Sequence, residues 1–303
     1  MKLATTTEDF CRYCPTIAER VSAVCDAGFR YIDLSMYNKS TDAELILSDD
    51  WKSNAEKLLE HTKRLGAKFV QAHSPGGNPF NEEKYGDLID ITIRSIEVCG
   101  ILGIPNIVVH SGEEKGLDRD AYYEKNRIFY NKLIPAMEAT GVNVLIENST
   151  VANMGDKYFF FKGDDMKCFL DWMDHPLLHA CWDTGHANIE GSQYDDILAL
   201  GDHLRAVHIN DNRGKGDEHI IPYLGTINMD EVMHALIDSN YKGYFTFECG
   251  SSMRPKKYWL GNRRDFDKDT RLASPTFELQ KKLESFMHEV GLHILNSYNC
   301  YED

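Results

Sequence analysis

Asp183 and His186 stand three residues apart in CWDTGHANIEG, between a short apolar run and a turn. A carboxylate and an imidazole so placed can share a cation or pass a proton, and a buried strand has no ordinary use for either. The pattern recurs along the chain. KFVQAH ends on His73, NIVVHSG carries His110, and NVLIEN carries Glu147. LHACWDT carries Asp183 with His186 just beyond it, and RAVHIND carries His208 with Asp217 and His219 in the loop that follows. YFTFECG carries Glu248. Each of these residues alone has a bland reading, as a satisfied structural histidine or a solvated rim carboxylate. Six consecutive apolar runs ending in such groups point to a common centre. Carboxylates gathered at one mouth repel one another and take up protons unless a cation neutralises them. Asp, Glu and His together suit Mn²⁺, Zn²⁺, Co²⁺ or Fe²⁺, and two or three carboxylates also admit Mg²⁺. A divalent metal site is therefore expected.

The elements that must position these groups are legible as alternating periods. Strand-like runs lie at 2–7, 29–35, 68–73, 106–112, 143–148, 178–184, 205–211 and 244–250, rich in β-branched and aromatic residues. Helical patterns lie between them, at 16–28, 49–66 and 82–103 and at about 120–140, 164–174, 193–201, 229–239 and 275–290. Eight strand–helix repeats without a Gly/Ser-rich linker predict an α/β fold, one (β/α)8 barrel spanning residues 1–303 as a single domain. A doubly wound open sheet is the runner-up. It should carry a glycine-rich phosphate-binding turn after its first strand, and ATTTEDFCRYC has no glycine. In a barrel the active site forms where the strands finish, which is where the polar residues fall.

Composition narrows the partners. The net charge of −15 disfavours a nucleic-acid backbone as partner. No run of 18 apolar residues offers a membrane span. MKLATTTEDF lacks the apolar core of a signal peptide, so a cytoplasmic location is expected. The eight cysteines are irregularly spaced and read as reduced. Cys11 and Cys14 have redox-motif spacing, but no second CxxC accompanies them and the structural reading is preferred.

IEN, DTGHANIEG, VHIND, DEHIIPYLG and FTFECG resemble the motifs of the xylose-isomerase-like barrel superfamily, in order and in strand placement, over roughly residues 1 to 250. That superfamily includes ketose 3-epimerases, hydroxypyruvate isomerases, inosose dehydratases and endonuclease IV repair enzymes. The resemblance to the epimerases implies one metal held by Glu147, Asp183, His208 and Glu248, with the two glutamates also carrying protons. It implies a catalytic role for His186, three residues after the Asp, and a substrate contact from an Arg shortly after the metal-binding His. Arg213 stands one residue nearer than that pattern requires. His73, His110 and His219 are further candidates for substrate contact. The chemistry is coherent on its own terms. A metal chelating a sugar carbonyl and its neighbouring hydroxyl stabilises an enediolate, while one carboxylate removes the adjacent proton and another returns it. Predicted strands five and eight lie roughly across the barrel, so Glu147 and Glu248 could flank a planar intermediate.

The resemblance to endonuclease IV implies a rival: a three-zinc phosphodiesterase acting on abasic DNA. Its nine ligands find matches in His73, His110, Glu147, Asp183, His186, His208, Asp217, His219 and Glu248. Against it stand the acidity, the continuation NSTVANMGDKYFF where the repair enzymes carry small, Gly-rich residues, and the uncharged HSPGGNPF, which brings neither Arg nor a wedge for the minor groove. A metal-dependent sugar or sugar phosphate isomerase or epimerase is the preferred reading. A polyol dehydratase or a non-enzymatic binding module are the remaining alternatives. Residues 251–271 carry seven basic and three acidic side chains, a local charge of +4. They read as a solvated linker, or as a site where Arg254, Lys256, Lys257 or Arg263 holds a substrate anion and Tyr258 or Trp259 covers the sugar. The segment could equally pack on a neighbouring subunit, and a homodimer or homotetramer is expected.

Overall fold

A computed structural model describes residues 1–250, 252–253 and 275–302. Eight parallel strands close on themselves in sequence order, β1 (Lys2–Thr6), β2 (Tyr31–Ser35), β3 (Lys68–His73), β4 (Asn106–Val108), β5 (Asn143–Glu147), β6 (Leu178–Asp183), β7 (Leu204–Ile209) and β8 (Tyr244–Phe247). β1 pairs with β8, which seals the barrel. The principal helices wrap the outside: α1 (Ile17–Asp26), α3 (Trp51–Arg64), α4 (Tyr85–Leu102), α5 (Arg119–Thr140), α7 (Gly163–Met173), α9 (Tyr194–Leu200), α10 (Met229–Asp238) and α11 (Phe277–Ser297). Three short helices, α2 (Ala43–Ile46), α6 (Val151–Met154) and α8 (Thr184–Glu190), sit in the connections.

Local chemistry fixes the helix ends. Thr16 and Glu19 form a reciprocal capping box at the start of α1. Gly103 and Gly141 close α4 and α5 in the left-handed conformation that glycine adopts without a Cβ penalty.

The barrel interior is layered. Side chains of a strand alternate in direction, so residues two apart face the same way. Val108, Leu145, Cys181 and Ala206 form a small buried cluster of their own. Two residues further along come Glu147, Asp183 and His208 on β5, β6 and β7, and His110 just beyond the end of β4. The polar centre therefore stands on an apolar floor, and water has no route to it from below.

Candidate functional site

Glu147 ends β5, Asp183 ends β6 and lies beside His208 in register, and Glu248 follows β8 directly. Glu147, Asp183 and His208 are buried, and Glu248 is partly so. One donor atom from each of the four lies within 4.8 Å of the others. Glu147 Oε1 is 2.5 Å from His208 Nδ1, and Glu248 Oε2 is 3.4 Å from the same nitrogen. Three carboxylates and one imidazole converging in a dry mouth match the oxygen-rich donor set that divalent cations take. Cys181 also lies close to Glu147 and His208. Burial pushes its thiol up to about 12, so it stays protonated and belongs to the floor.

Asp183 is fixed before any ligand arrives. It caps α8, its Oδ1 accepting from the His186 backbone N–H at 2.6 Å, and its Oδ2 accepts from Asn210 Nδ2 at 2.7 Å. Asn148 brackets its backbone, accepting from the Asp183 N–H and donating to its carbonyl. The glycine of DTGH is obligatory for this packing. A Cβ on Gly185 would lie 1.7 Å from Asn210 Oδ1. His208 turns Nδ1 toward the carboxylates and Nε2 toward Gln71, 2.7 Å away, and Asp33, 3.7 Å away. Asp33 is buried, and neither of its carboxyl oxygens finds a hydrogen-bond partner among the described residues. A ligating histidine is oriented by what its other nitrogen meets. Asp33, Gln71, Asn148 and Asn210 thus hold the centre in place, and none was named as a candidate from sequence. Asn148 and Asn210 had a signal, since each stands one or two residues after a ligand in IEN and VHIND.

Histidines flank the four-residue centre on both sides. His110 Nε2 is 2.9 Å from Glu147 Oε2 and 3.1 Å from His73 Nε2. On the other side Asp217 bridges His186 (3.2 Å) and His219 (2.9 Å). His219 adopts φ = 46°, unusual for a residue with a Cβ. Burial opposes charge on His186, but Asp183 and Asp217 outweigh it and lift it to about 10. Burial alone would raise Glu147, yet His208, His110 and His73 hold it well below the carboxylate range. Glu248 goes the other way. Burial, reinforced by Glu147 and Asp183 against His208 and His219, pushes it up to about 7.

Glu147, Glu248 and the flanking histidines line a cavity of about 380 Å³ whose wall also includes Tyr37, Asn153 and Met154, while Asp183 and His208 lie behind that wall. Ligand pockets commonly have this volume. His73, His110, His186, Asp217 and His219 all reach it, as sequence reading expected. Arg213 is not among its lining residues. Its guanidinium pairs with Glu218 on the surface, and its side chain is 62% exposed. Arg254, Lys256, Lys257, Tyr258, Trp259 and Arg263 lie outside the described residues. The eight cysteines carry free thiols. No helix among the described residues is long and apolar enough to cross a membrane.

A strand-by-strand ring of ligands on an apolar floor also marks a known family, whose profile, described as xylose isomerase-like TIM barrel, matches residues 21–266. The chain belongs to that family. Its barrel superposes on a D-tagatose 3-epimerase-like protein with a TM-score of 0.72, at 19% identity over 98% of this chain and 99% of the other. Sequence relatives divide between two chemistries. A probable endonuclease 4 of Cenarchaeum symbiosum (strain A) is 27% identical over 211 residues, 61% of this chain and 71% of its own. A fructoselysine 3-epimerase of Escherichia coli O157:H7 is 47% identical, but over 49 residues, 16% of this chain and 18% of its own. Family membership and the closed barrel agree with the sequence reading. The choice between the chemistries rests on the site.

Proposed function

We propose that this protein is a divalent-metal-dependent isomerase or epimerase of a small sugar, working by proton transfer beside a carbonyl. The observation that carries the reading is the pair Glu147 and Glu248. Both reach one imidazole nitrogen, of His208, from β5 and from the end of β8, and their environments pull their proton affinities apart. Two carboxyls so placed suit a base that takes a proton and an acid that returns one. Glu147, Asp183, His208 and Glu248 would hold the cation, which supplies Lewis acidity toward the substrate carbonyl when bound. Glu147, kept ionised by three histidines, is poised to accept the proton of the carbon beside that carbonyl. Glu248 can carry a proton near neutrality and deliver it to the enediolate. His186, charged, donates to the Asn148 carbonyl and to Asp217, and so holds the Asp217 carboxylate at the cavity wall. The apolar floor excludes water that would quench the carbanion.

A second reading is favoured by one specific observation. Eight of the nine residues of the multinuclear set come together in overlapping groups that include His73–His110–Glu147 and Asp183–His186–His219, and Asp217 joins them through His186 and His219. Clustered cations suit phosphodiester hydrolysis, since two can clamp the attacking and leaving oxygens. One experiment separates the two. The metal-loaded protein is incubated in D₂O with ketoses, and separately with duplex DNA carrying an abasic site. Deuterium entering beside the ketose carbonyl, without DNA incision above the rate of free metal, is the expected outcome. Efficient incision with no exchange would replace the sugar reading by the phosphodiesterase.

A further inference from the structure

The cavity has a polar wall that the metal centre does not use. Asp9 lies in the turn after β1, and Gln280 in the first turn of α11, four residues before Glu284 and so on the same helix face. All three are buried, Asp9 at 8% exposure, Gln280 at 4% and Glu284 at 1%. Glu284 is engaged: its Oε1 accepts from the Thr5 hydroxyl at 2.7 Å, and it bonds to Asp9. Asp9 keeps the proton of that pair, because burial and then the charges of Glu284 and Glu8 hold it well above the carboxylate range. Two atoms are left over. Asp9 Oδ1 and Gln280 Nε2 have no hydrogen-bond partner among the described residues, yet both residues line the cavity. Gly250 keeps the first of them open, since a Cβ there would stand 2.5 Å from Asp9 Oδ1. Buried polar groups are rarely left unpaired without a reason, and a ligand is one such reason.

The two atoms select among ligands. One is an acceptor and the other a donor. An ammonium group carries only donors and would leave Gln280 Nε2 unmet. A carboxylate or phosphate carries only acceptors and would leave Asp9 Oδ1 unmet. Hydroxyls donate and accept, so those of one carbon chain can donate to Asp9 Oδ1 and accept from Gln280 Nε2. The lining agrees: among the described residues it carries the carboxyls of Glu8, Asp9, Glu147, Asp217 and Glu248, Arg12 is its one Lys or Arg side chain, and its charged His186 is paired with Asp217.

We propose that Asp9 and Gln280 form a hydroxyl-binding subsite for the carbon chain of an unphosphorylated sugar whose carbonyl end lies at the metal centre. The inference rests on the sugar reading above and narrows it to neutral substrates.

The test uses the Mn²⁺-loaded full chain, with D-fructose, its 4-, 5- and 6-deoxy analogues and D-fructose 6-phosphate as probes. Binding is followed by titration calorimetry and proton exchange in D₂O. At least one deoxy analogue should lose about 10–100-fold relative to D-fructose, as expected for removing the partner of a buried polar group. In Gln280→Leu that ratio should collapse toward one, and Asp9→Asn should reduce it. The phosphorylated sugar should bind more weakly than D-fructose. Comparisons on the wild type stand even if a variant folds poorly. Exchange that is equal for all deoxy analogues, a ratio unchanged in Gln280→Leu, or tighter binding of the phosphate would overturn the subsite and leave the isomerase reading intact. Absence of binding and exchange with every sugar, together with DNA incision, would remove both.

Discussion

The two polar walls of the cavity are finished to different degrees. At the ends of β6 and β7 the protein supplies its own partners: Asp183 takes one donor on each oxygen and is bracketed by Asn148, while His208 is pinned at both nitrogens. At the junction of β1 and α11 the protein stops short, leaving Asp9 Oδ1 and Gln280 Nε2 without partners among the described residues. The first wall is preorganised, as the proposed cation centre requires. The second is completed by what enters. The difference teaches that a fold can spend its hydrogen bonds where chemistry is done and withhold them where substrates are distinguished.

The largest test of this contrast falls on the preorganised wall. Replacing Glu147 or Glu248 by Gln keeps size and one ligand oxygen but removes the proton carrier. Each variant should retain at least part of its metal, by mass spectrometry, and lose about 10²–10⁴-fold in turnover. Activity that returns fully with excess metal in both variants would reduce the glutamates to ligands alone.

A smaller effect is expected behind the centre. Asp33→Asn removes a carboxylate 3.7 Å from His208 Nε2 without changing its size. Metal affinity, measured by competition with a chromophoric chelator, should weaken by about 10–100-fold, the usual worth of a group supporting a ligating histidine. An unchanged affinity would mean that Gln71 alone orients the ring.

The smallest effect belongs to the unfinished wall, and it depends on pH. Burial pushes Glu284 up to about 7. The unfolded chain releases this proton near the ordinary value of 4.5, so between there and about 7 the folded state binds more protons and stability falls as pH rises. Glu284→Gln still accepts from Thr5 and escapes that penalty. It should be more stable than wild type by about 1–2 kcal/mol at pH 8 and show little gain at pH 4, by chemical denaturation. A gain of the same size at both pH values would point to packing instead.

Much of this molecule was legible in its sequence because a barrel writes its function in one place. All eight strands and the six polar strand ends were readable, since apolar runs are short, alternate with helices and finish on residues that have no packing value. Three departures have physical causes. NIVVHSG was expected as one strand to 112, but β4 ends at Val108 and the chain bends so that His110 reaches Glu147. DTGHANIEG contains a helix, α8, too short to declare itself by periodicity. The last helix runs to Ser297, past the expected 290, because Gly291 is there for close packing and does not end it: a Cβ would lie 2.6 Å from a methyl of Leu3. Arg213 followed a motif spacing and was met by a local ion pair with Glu218. Asp33, Gln71, Asp9 and Gln280 carried no pattern, because what distinguishes them is proximity across the barrel.

The wall shared by β1 and α11 has a consequence for the order in which this protein assembles. Thr5 and Glu284, which meet through a 2.7 Å bond, are separated by 279 positions. Every ligand of the four-residue centre lies between residues 147 and 248, on strands that pair with their sequence neighbours. Contacts between distant parts of a chain are slow to form because loop closure costs entropy before they reward it. On a ribosome, the ligands of the centre emerge before α11, the last partner of the β1 seam. The four-residue centre can therefore gather early from one half of the chain, while Asp9 meets Glu284 only when α11 docks against β1. Amide hydrogens of β1 and α11 should accordingly exchange in a separate, less protected unit from those of β5 to β7. Substrate discrimination would then be the last property this barrel acquires as it folds.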